Sequence, residues 1–368
     1  MRTLLFNPGP TNVHPDVKAA LVCEDLNHRD ARFLATMHFV CSQISELAGG
    51  NAEHACIPFA SSGTGGCEAV LSMVTGKVLV LSTGRYGRRL GLISQAMGLE
   101  TIIEEFPPLQ GIDIECVAKI LARNRTITHM AFAHHETTTT ILAPLRELCG
   151  LAKRSGVTTI VDAVSSLYGH DVDLVRDNID IAVVSSNKCL EALPGLAFVL
   201  VREALLRGVE GRSRSFYFDI AAQWRRFTED RLPRFTMPIQ LFSATKVAIN
   251  RLQTETVSGR ASRYLRLKQQ LREGLPRCGL GPANLGDIQT ANQLLLVDKP
   301  AWLDYQTLCA ELLNRGIAIY TDPDTLSKGY LFFATMGAID SDDIECFLGA
   351  LEDAISAVRP QARRVSNA

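Results

Sequence analysis

The stretch that most constrains the fold spans residues 158–200, where three short apolar segments alternate with polar turns. The first segment stops at Asp162, the second (179–184) leads within a few residues to Lys188, and the third (196–201) follows a Pro-Gly break. Apolar runs of four to eight residues between polar and glycine residues are typical of buried strands. Open α/β sheets bind ligands at the carboxyl ends of their strands. We therefore expect Asp162 and Lys188 to lie side by side in a ligand site.

This pair of residues matches the requirements of pyridoxal phosphate chemistry. A single Asp is followed 26 residues later by a single Lys, each just past a predicted strand. In that chemistry a lysine amine forms a Schiff base with the cofactor, and a carboxylate keeps the pyridine nitrogen protonated so that the ring accepts electrons. Ordinary polar residues at strand ends would show the same pattern. Taken alone, the pair leaves both interpretations open.

The charge balance and the cysteines restrict the partners. The 368 residues include 38 basic and 39 acidic side chains, so no charge excess indicates a nucleic acid or an anionic membrane surface as partner. Ten cysteines lack the Cys-x-x-Cys and Cys/His spacings of metal sites, and the N-terminal apolar patch is too short for a signal peptide or a membrane span. We expect reduced cysteines, a cytoplasmic location and a small-molecule partner.

A glycine-rich turn forms a candidate anion site. The sequence SSGTGG at 61–66 follows a predicted strand at 55–60 and precedes a predicted helix. Free N–H groups at a helix N-terminus attract anions, and Ser62 and Thr64 would add hydroxyl donors. The turn lacks the GK[ST] ending of a Walker A loop. Because such turns also occur in α/β proteins that bind no phosphate, the motif is only a candidate.

Two more segments lie at predicted strand ends. Tyr86 follows a strand at 77–82, where an aromatic ring either stacks on a flat cofactor or packs in the core. The run HHETTTT at 134–140 follows a strand at 128–134, and its hydroxyls could donate to a cofactor oxygen. Neighbouring strand residues point to opposite faces, so we do not expect its histidines and glutamate to bind a metal.

The order of the predicted elements indicates an α/β fold with a second, smaller domain. Strands alternate with helices through the first half of the chain, which favours a doubly wound, mainly parallel sheet. The Arg- and aromatic-rich segment 210–238 is predicted to be an irregular connection near an anionic ligand or a subunit contact. We predict a large domain over 1–250, with residues 1–30 near the active site, and a small α+β domain over 251–368 that ends in a disordered tail.

Four motifs in one order resemble the fold-type I, class V aminotransferases, and within that class the 2-aminoethylphosphonate:pyruvate aminotransferases. They are HHETTTTILAP, VDAVSSL, SSNKCLEALPGLAFV and RSRSFYFDIAAQWRR, and the resemblance runs from the PGPT at Pro8 to about residue 338. It implies a seven-stranded, mainly parallel sheet, pyridoxal 5'-phosphate as cofactor and a homodimer with shared active sites. The implied reaction interconverts a small phosphonate aldehyde and its amine, such as phosphonoacetaldehyde and 2-aminoethylphosphonate.

The resemblance also implies roles for the matching residues. Lys188 and Asp162 match the catalytic lysine and the partner of the pyridine nitrogen. Val164 and Tyr86 match the residues on the two faces of the ring. The remaining matches around the cofactor are Ser62, Gly63, Thr64, Thr137, Thr138, Ser185 and, from the neighbouring subunit, Thr236. The candidates for the substrate site are Gly9, Arg29 and Phe332.

Phe332 departs from the family pattern. The family carries an Arg at this position, in a segment of the form Arg-Ile-Gly-x-Ile-Gly, and a phenyl ring cannot replace its bidentate contact with an acidic group. Either Arg29, Arg85, Arg88 or Lys328 supplies the missing cation, or the amino donor or acceptor is not alanine or pyruvate. A lyase or other carbon-acid reaction on an aminophosphonate therefore remains an alternative. A non-catalytic cofactor-binding protein is a further alternative, and the retained Lys–Asp pair argues against it.

Overall fold

The computed structural model describes residues 2–209 and 211–359, so most of the predicted disordered tail lies outside the described residues. The described strands are β1 (Leu4–Leu5), β2 (His54–Phe59), β3 (Lys77–Ser82), β4 (Thr101–Glu105), β5 (Ile127–Ala133), β6 (His135–Glu136), β7 (Ile141–Leu142), β8 (Thr158–Asp162), β9 (Ile181–Ser185), β10 (Ala197–Arg202), β11 (Leu294–Asp298), β12 (Ile317–Ala318) and β13 (Tyr330–Ala334). The α-helices are α1 (Pro15–Ala19), α2 (Ala31–Leu47), α3 (Gly63–Met73), α4 (Arg85–Ala96), α5 (Ile114–Arg123), α6 (Leu145–Arg154), α7 (Ile220–Glu229), α8 (Ile239–Glu255), α9 (Val257–Gly274), α10 (Tyr305–Asn314), α11 (Pro323–Ser327) and α12 (Ser341–Val358).

Seven strands form the central sheet, in the order β2-β10-β9-β8-β5-β3-β4. Neighbours from β9 to β4 are parallel, and β10 runs antiparallel to both β9 and β2. The predicted seven-stranded, mainly parallel sheet is therefore confirmed. Its strands are apolar on both faces because each face packs against its own hydrophobic cluster: in β3, Leu79 and Leu81 face one cluster and Val78 and Val80 the other.

Helix α2 covers one face of this sheet. It begins after Asp30, whose carboxylate accepts a hydrogen bond from the N–H of Arg32 at 2.8 Å. Its apolar side chains are buried, with Phe33 and Met37 at most 1% exposed. The Phe33 ring meets Phe242 of α8 edge to face at 5.6 Å, so α8 packs beside α2 on the same side of the sheet.

A smaller α+β unit follows in the C-terminal part. Strands β11 and β13 pair antiparallel, while β12 pairs in parallel with β1 at the start of the chain. Phe6, next to β1, stacks on Phe347 of α12 with ring centroids 4.1 Å apart. The N-terminal segment thus begins in the small unit and continues from there towards the central sheet.

One local prediction needs correction. The segment 210–238 is not wholly irregular, because helix α7 forms within it and Asp219 caps this helix by accepting from the N–H of Ala222 at 2.9 Å. Residue 250, the predicted domain boundary, lies within α8, which continues until Thr256 interrupts the helix with a φ of +68°. The division into two domains stays a prediction.

Among residues 2–209 and 211–359, no helix is both long enough and apolar enough to cross a membrane. The ten cysteines form no disulfide, and six of them are buried in the hydrophobic clusters or beside them.

Candidate active site

The central sheet brings Asp162 and Lys188 to the same edge. Strands β8 and β9 are parallel neighbours, and Asp162, the last residue of β8, lies opposite Val183. Lys188 follows three residues after the end of β9. Parallel neighbours expose their carboxyl ends at one edge, which explains how two residues distant in sequence share one site.

The Lys188 amine is held by the N-terminal segment. Its Nζ donates to the backbone oxygen of Pro8 at 2.5 Å. Gly9 has a φ of +130°, and a Cβ added there would lie 2.6 Å from the same Nζ, so the position requires glycine. Burial lowers the pKa of Lys188 from its ordinary value to about 8. The amine is therefore prepared to act as a nucleophile or a base near neutral pH.

Asp162 is a desolvated carboxylate with few partners. Burial raises its pKa, while the backbone N–H of Val164, at 3.0 Å, and the cations Arg89 and Lys188 lower it. A carboxylate accepts up to about four hydrogen bonds, so Asp162 retains capacity for a further, preferably cationic, donor.

The predicted anion turn lies directly beside Asp162. Helix α3 begins at Gly63, and its N-cap residue Ser62 makes no capping hydrogen bond with its side chain. A Cβ added to Gly63 would lie 2.6 Å from Val164, which leaves room only for glycine. Thr64 Oγ1 accepts from Arg89 Nη1 at 3.1 Å. The turn thus offers free backbone N–H groups, two hydroxyls and a nearby guanidinium, a donor set suited to a phosphate.

A buried glutamate fixes the aromatic residue and the threonine loop. Glu136, 1% exposed, accepts from the backbone N–H groups of Tyr86 and Gly87 at 2.9 and 3.2 Å. It also accepts from the hydroxyl of Thr138 at 2.6 Å. The Arg89 guanidinium lies 4.7 Å from the centre of the Tyr86 ring. Glu136 therefore joins the start of α4 to the loop that follows β5.

Thr137 and Ser185 lie at the same edge of the sheet. The Thr137 hydroxyl is 3.4 Å from the hydroxyl of Ser165, in the turn after Asp162. Ser185 lies beside the anion turn, because a Cβ on Gly63 would be 3.4 Å from the Ser185 Cβ. The hydroxyl of Ser185 donates to the side chain of Asn187.

A second charged cluster lies immediately behind Lys188. Glu191 has a φ of +57° and accepts from Arg263 at 2.7 Å and from the Tyr264 hydroxyl at 2.6 Å. Arg260, 2% exposed, donates to the backbone oxygen of Cys189 at 2.8 Å. These contacts hold residues 189–191, which directly follow Lys188.

The same cluster reaches the other segments around the site. Glu255 bridges Arg260 at 2.9 Å and Arg263 at 2.6 Å. Arg263 also donates to the backbone oxygen of Gly337 at 2.9 Å. A Cβ on Gly337 would lie 2.7 Å from the backbone oxygen of Asn12, so this glycine packs directly on the N-terminal segment. The Lys188 turn, the N-terminal segment and the C-terminal part are thus joined through α9.

A family model described as aminotransferase class-V matches residues 6–275. The chain belongs to the class-V aminotransferases. Similar curated proteins include the 2-aminoethylphosphonate–pyruvate transaminases of Klebsiella pneumoniae and Salmonella paratyphi B, which are 33% and 31% identical over 96% of this chain and 97% of theirs.

Solved structures agree on the fold. Alanine–glyoxylate aminotransferase from Nostoc sp. has a TM-score of 0.90 at 24% identity and is covered over 96% of both chains. Ureidoglycine–glyoxylate aminotransferase from Bacillus subtilis has a TM-score of 0.89 at 23% identity, covering 99% of this chain and 96% of that one. The predicted fold-type I architecture is confirmed.

Class-V aminotransferases generally depend on pyridoxal phosphate, and the residues of this chain fit that group. The anion turn suits its phosphate, the desolvated Asp162 carboxylate suits a protonated pyridine nitrogen, and the Lys188 amine suits its aldehyde. The fit rests on donor chemistry that the chain itself provides.

Three of the predicted site residues make no contact with Lys188 that the structure shows among the described residues. Arg29 and Thr236 are exposed and form no hydrogen bond with the residues around Lys188 within residues 2–209 and 211–359, so their assignment to the site stays a prediction. Phe332 is 1% exposed and lies opposite Leu296 in the β11–β13 pair, with its ring in the hydrophobic core. The assignment of Phe332 to the substrate site is therefore corrected, because its ring has no surface that a substrate could contact.

Sequence reasoning missed Arg89, Glu136 and the cluster around Glu191. Arg89 follows Tyr86 by three residues, which places both side chains on one face of a helix, so its position was detectable. Glu136 stands in an otherwise uncharged strand end, which indicates a carboxylate with buried donors. The Glu191 cluster joins residues about 70 positions apart and left no local pattern.

Proposed function

We propose that this class-V aminotransferase uses pyridoxal phosphate to interconvert a small phosphonate aldehyde and its amine, of the phosphonoacetaldehyde and 2-aminoethylphosphonate type. The observation that carries the proposal is the pair on neighbouring strands: a lysine with a lowered pKa and a carboxylate with a raised pKa. The substrate class is supported by the curated transaminases that match almost the whole chain. No observation favours the lyase alternative.

The residues that would hold the cofactor divide by position. Lys188 would bind its aldehyde, and Asp162 would accept from its pyridine nitrogen. Val164 and Tyr86 would flank the ring. The other contacts would come from Ser62, Gly63, Thr64, Thr137, Thr138 and Ser185. When bound, the group supplies an electron sink that stabilises negative charge on the substrate carbon bearing the amine.

Residues of the chain itself then move the proton of the amine-bearing substrate carbon. Lys188 Nζ, once free and neutral, removes the proton from the amine-bearing carbon of the substrate. The Pro8 carbonyl, 2.5 Å from Nζ, orients this amine, and the Gly9 backbone covers it from solvent. Asp162, beside Arg89, would balance positive charge on the heterocycle. Residues of the anion turn keep the phosphate end fixed while the proton moves.

We propose that the active enzyme is a homodimer in which Thr236 reaches the phosphate site of the neighbouring subunit. An exposed aromatic group next to Thr236 supports this: Phe216 is 80% exposed, and Tyr217 stacks on Phe235 at 5.1 Å. Large apolar groups at a surface are typical of protein interfaces. Light scattering should give the mass of a dimer, and a fully active monomer would contradict the proposal. We place the enzyme in the cytoplasm, since its cysteines form no disulfide.

The half-reaction tests the function directly. The purified holoenzyme should lose the absorption band of the lysine-linked cofactor when 2-aminoethylphosphonate is added without an acceptor, and form one pyridoxamine phosphate per site. The Lys188→Ala variant should lack this band. Continuous release of ammonia with the band unchanged would indicate the lyase alternative. Adding pyruvate or other oxo acids afterwards should restore the band and identify the amino-group acceptor.

A further inference from the structure

A cleft separates the carboxyl edge of the sheet from helix α11 in the C-terminal part. Its volume is about 340 Å³. One wall consists of the turn after β3 with Arg85 and Arg88, and the other of Asp324, Ser327 and Lys328. Thr138, from the loop that follows β5, also lines the cleft. The cleft is therefore built by both parts of the chain.

This cleft adjoins the residues proposed to surround the cofactor ring. A Cβ added to Gly84 would lie 2.7 Å from the Thr138 hydroxyl and 2.7 Å from the Glu136 carboxyl carbon. The Thr325 hydroxyl of α11 donates to the Thr138 backbone oxygen at 2.8 Å. Helix α11 is thereby fixed against the same loop that Glu136 holds. The cleft thus shares Thr138 with the residues proposed to hold the cofactor.

Two cations in the cleft remain without a compensating partner. Arg88 is engaged by Glu105 through two parallel hydrogen bonds of 2.9 Å. Within residues 2–209 and 211–359, the side chains of Arg85 and Lys328 have no recorded hydrogen bond or ion pair. Asp324 is the one lining carboxylate outside the Arg88–Glu105 pair. The two free cations come from opposite walls and outnumber it, so the cleft favours an anion.

We infer that Arg85 and Lys328 bind the phosphonate group of the substrate. This inference rests on the proposed function and deepens it, because it supplies the cation that Phe332 cannot provide. Of the four cations that the sequence offered, Arg88 is neutralised by Glu105, and Arg29 does not line the cleft. A doubly charged phosphonate accepts several hydrogen bonds and is suited to two cations approaching from different sides.

Spectral titration of the holoenzyme tests this subsite. The apparent Kd for 2-aminoethylphosphonate, read from the cofactor band without an acceptor, should rise at least about 10-fold in Arg85→Gln and in Lys328→Gln, the loss typical of removing one hydrogen bond to a charged group. The double variant should bind 2-aminoethylphosphonate roughly 100-fold more weakly, because the two losses add. Arg123→Gln and Lys119→Gln, exposed on α5 away from the cleft, are matched controls and should leave the Kd unchanged.

A non-reactive ligand separates the two ways of failing. Ethylphosphonate has no amine, so calorimetry with the holoenzyme measures the acid-group contact alone; it should bind wild type and bind both cleft variants about 10-fold more weakly. If wild type does not react with 2-aminoethylphosphonate, the proposed function is wrong, and ethylphosphonate binding then decides the subsite by itself. If wild type reacts but neither ligand is affected by the two substitutions, the subsite is wrong and the proposed function stands.

Discussion

Two groups of buried or half-buried charges lie at the turn that carries Lys188, and they are satisfied to very different degrees. At the sheet edge, Lys188 and Asp162 have few partners. Burial shifts the pKa of each so that the neutral form is favoured. On the other side, burial alone would lower the pKa of Arg260 and raise that of Glu255, yet ion pairing reverses both directions. Burial is common to both groups; the supply of opposite charges differs.

The comparison separates chemistry from positioning. A buried charge without sufficient partners costs folding free energy, so it persists where a ligand or a reaction uses it. A buried charge with several partners mainly fixes geometry, and removing one partner leaves the other charge uncompensated. We therefore assign the reaction to Lys188 and Asp162, and the placement of Lys188 to the cluster of Glu191, Arg260 and Arg263.

The largest effect is expected from removing the charge of Asp162. In Asp162→Asn, the amide cannot balance positive charge on the bound heterocycle, so the turnover rate should fall by about 100- to 1000-fold, the magnitude typical of losing one electrostatic stabiliser. Rapid-mixing kinetics of the half-reaction should show the loss in the rate of proton removal. Asp171→Asn, an exposed carboxylate ion-paired with Arg146 and Arg176, is the control. Undiminished turnover in Asp162→Asn would remove the distinction between the two groups.

The positions of Asp162 and Lys188 were predictable because both residues mark strand ends. Asp162 and Lys188 each interrupt an apolar segment, and the alternation of strands and helices placed those interruptions at one edge of a sheet. The pairing of β1 with β12 was not predictable, since Leu4 and Ile317 meet only in the folded chain.

The cluster of Glu191, Arg260 and Arg263 left even less trace in the sequence. Glu191 and Arg263 are ordinary surface residue types, and only the packing of α9 behind the Lys188 turn makes them buried partners. Phe332 shows the converse case. The sequence identified it as the place of a missing cation, and its strand pairing then showed that the ring belongs to the core.

A smaller effect, on the free energy of unfolding, is expected from a substitution in the cluster of Glu191, Arg260 and Arg263. Glu191→Gln leaves Arg260 and Arg263 short of one negative charge and should lower the free energy of unfolding by about 3 kcal/mol, the cost of breaking a buried ion pair. Urea unfolding of the holoenzyme measures the change. The matched control is Glu24→Gln, whose partner Arg32 is exposed, and it should leave the free energy of unfolding nearly unchanged. Equal losses in both variants would show that the buried cluster stabilises the fold no more than an exposed ion pair does.

The smallest effect concerns the cost of burying the Lys188 amine in cofactor-free protein. Its pKa is about 8 when folded, against an ordinary value of 10.5. Between these values the unfolded chain keeps a proton that the folded protein has lost, so stability should rise with pH by about 1 kcal/mol per pH unit; below pH 8 and above 10.5 the group contributes no slope. Lys188→Met should remove this rise.

Lys268 provides the matched comparison, because burial also lowers its pKa to about 8 while its amine donates to Thr290 and to the backbone oxygen of Ala291. Lys268→Met should remove a similar pH slope, but it breaks two hydrogen bonds and should destabilise the protein below pH 8. Lys188→Met loses one contact, with Pro8, and relieves the burial of a charge, so it should be as stable as wild type or more stable there. A destabilised Lys188→Met below pH 8 would mean that this amine is a satisfied structural charge, and the contrast between the two sides of the turn would fail.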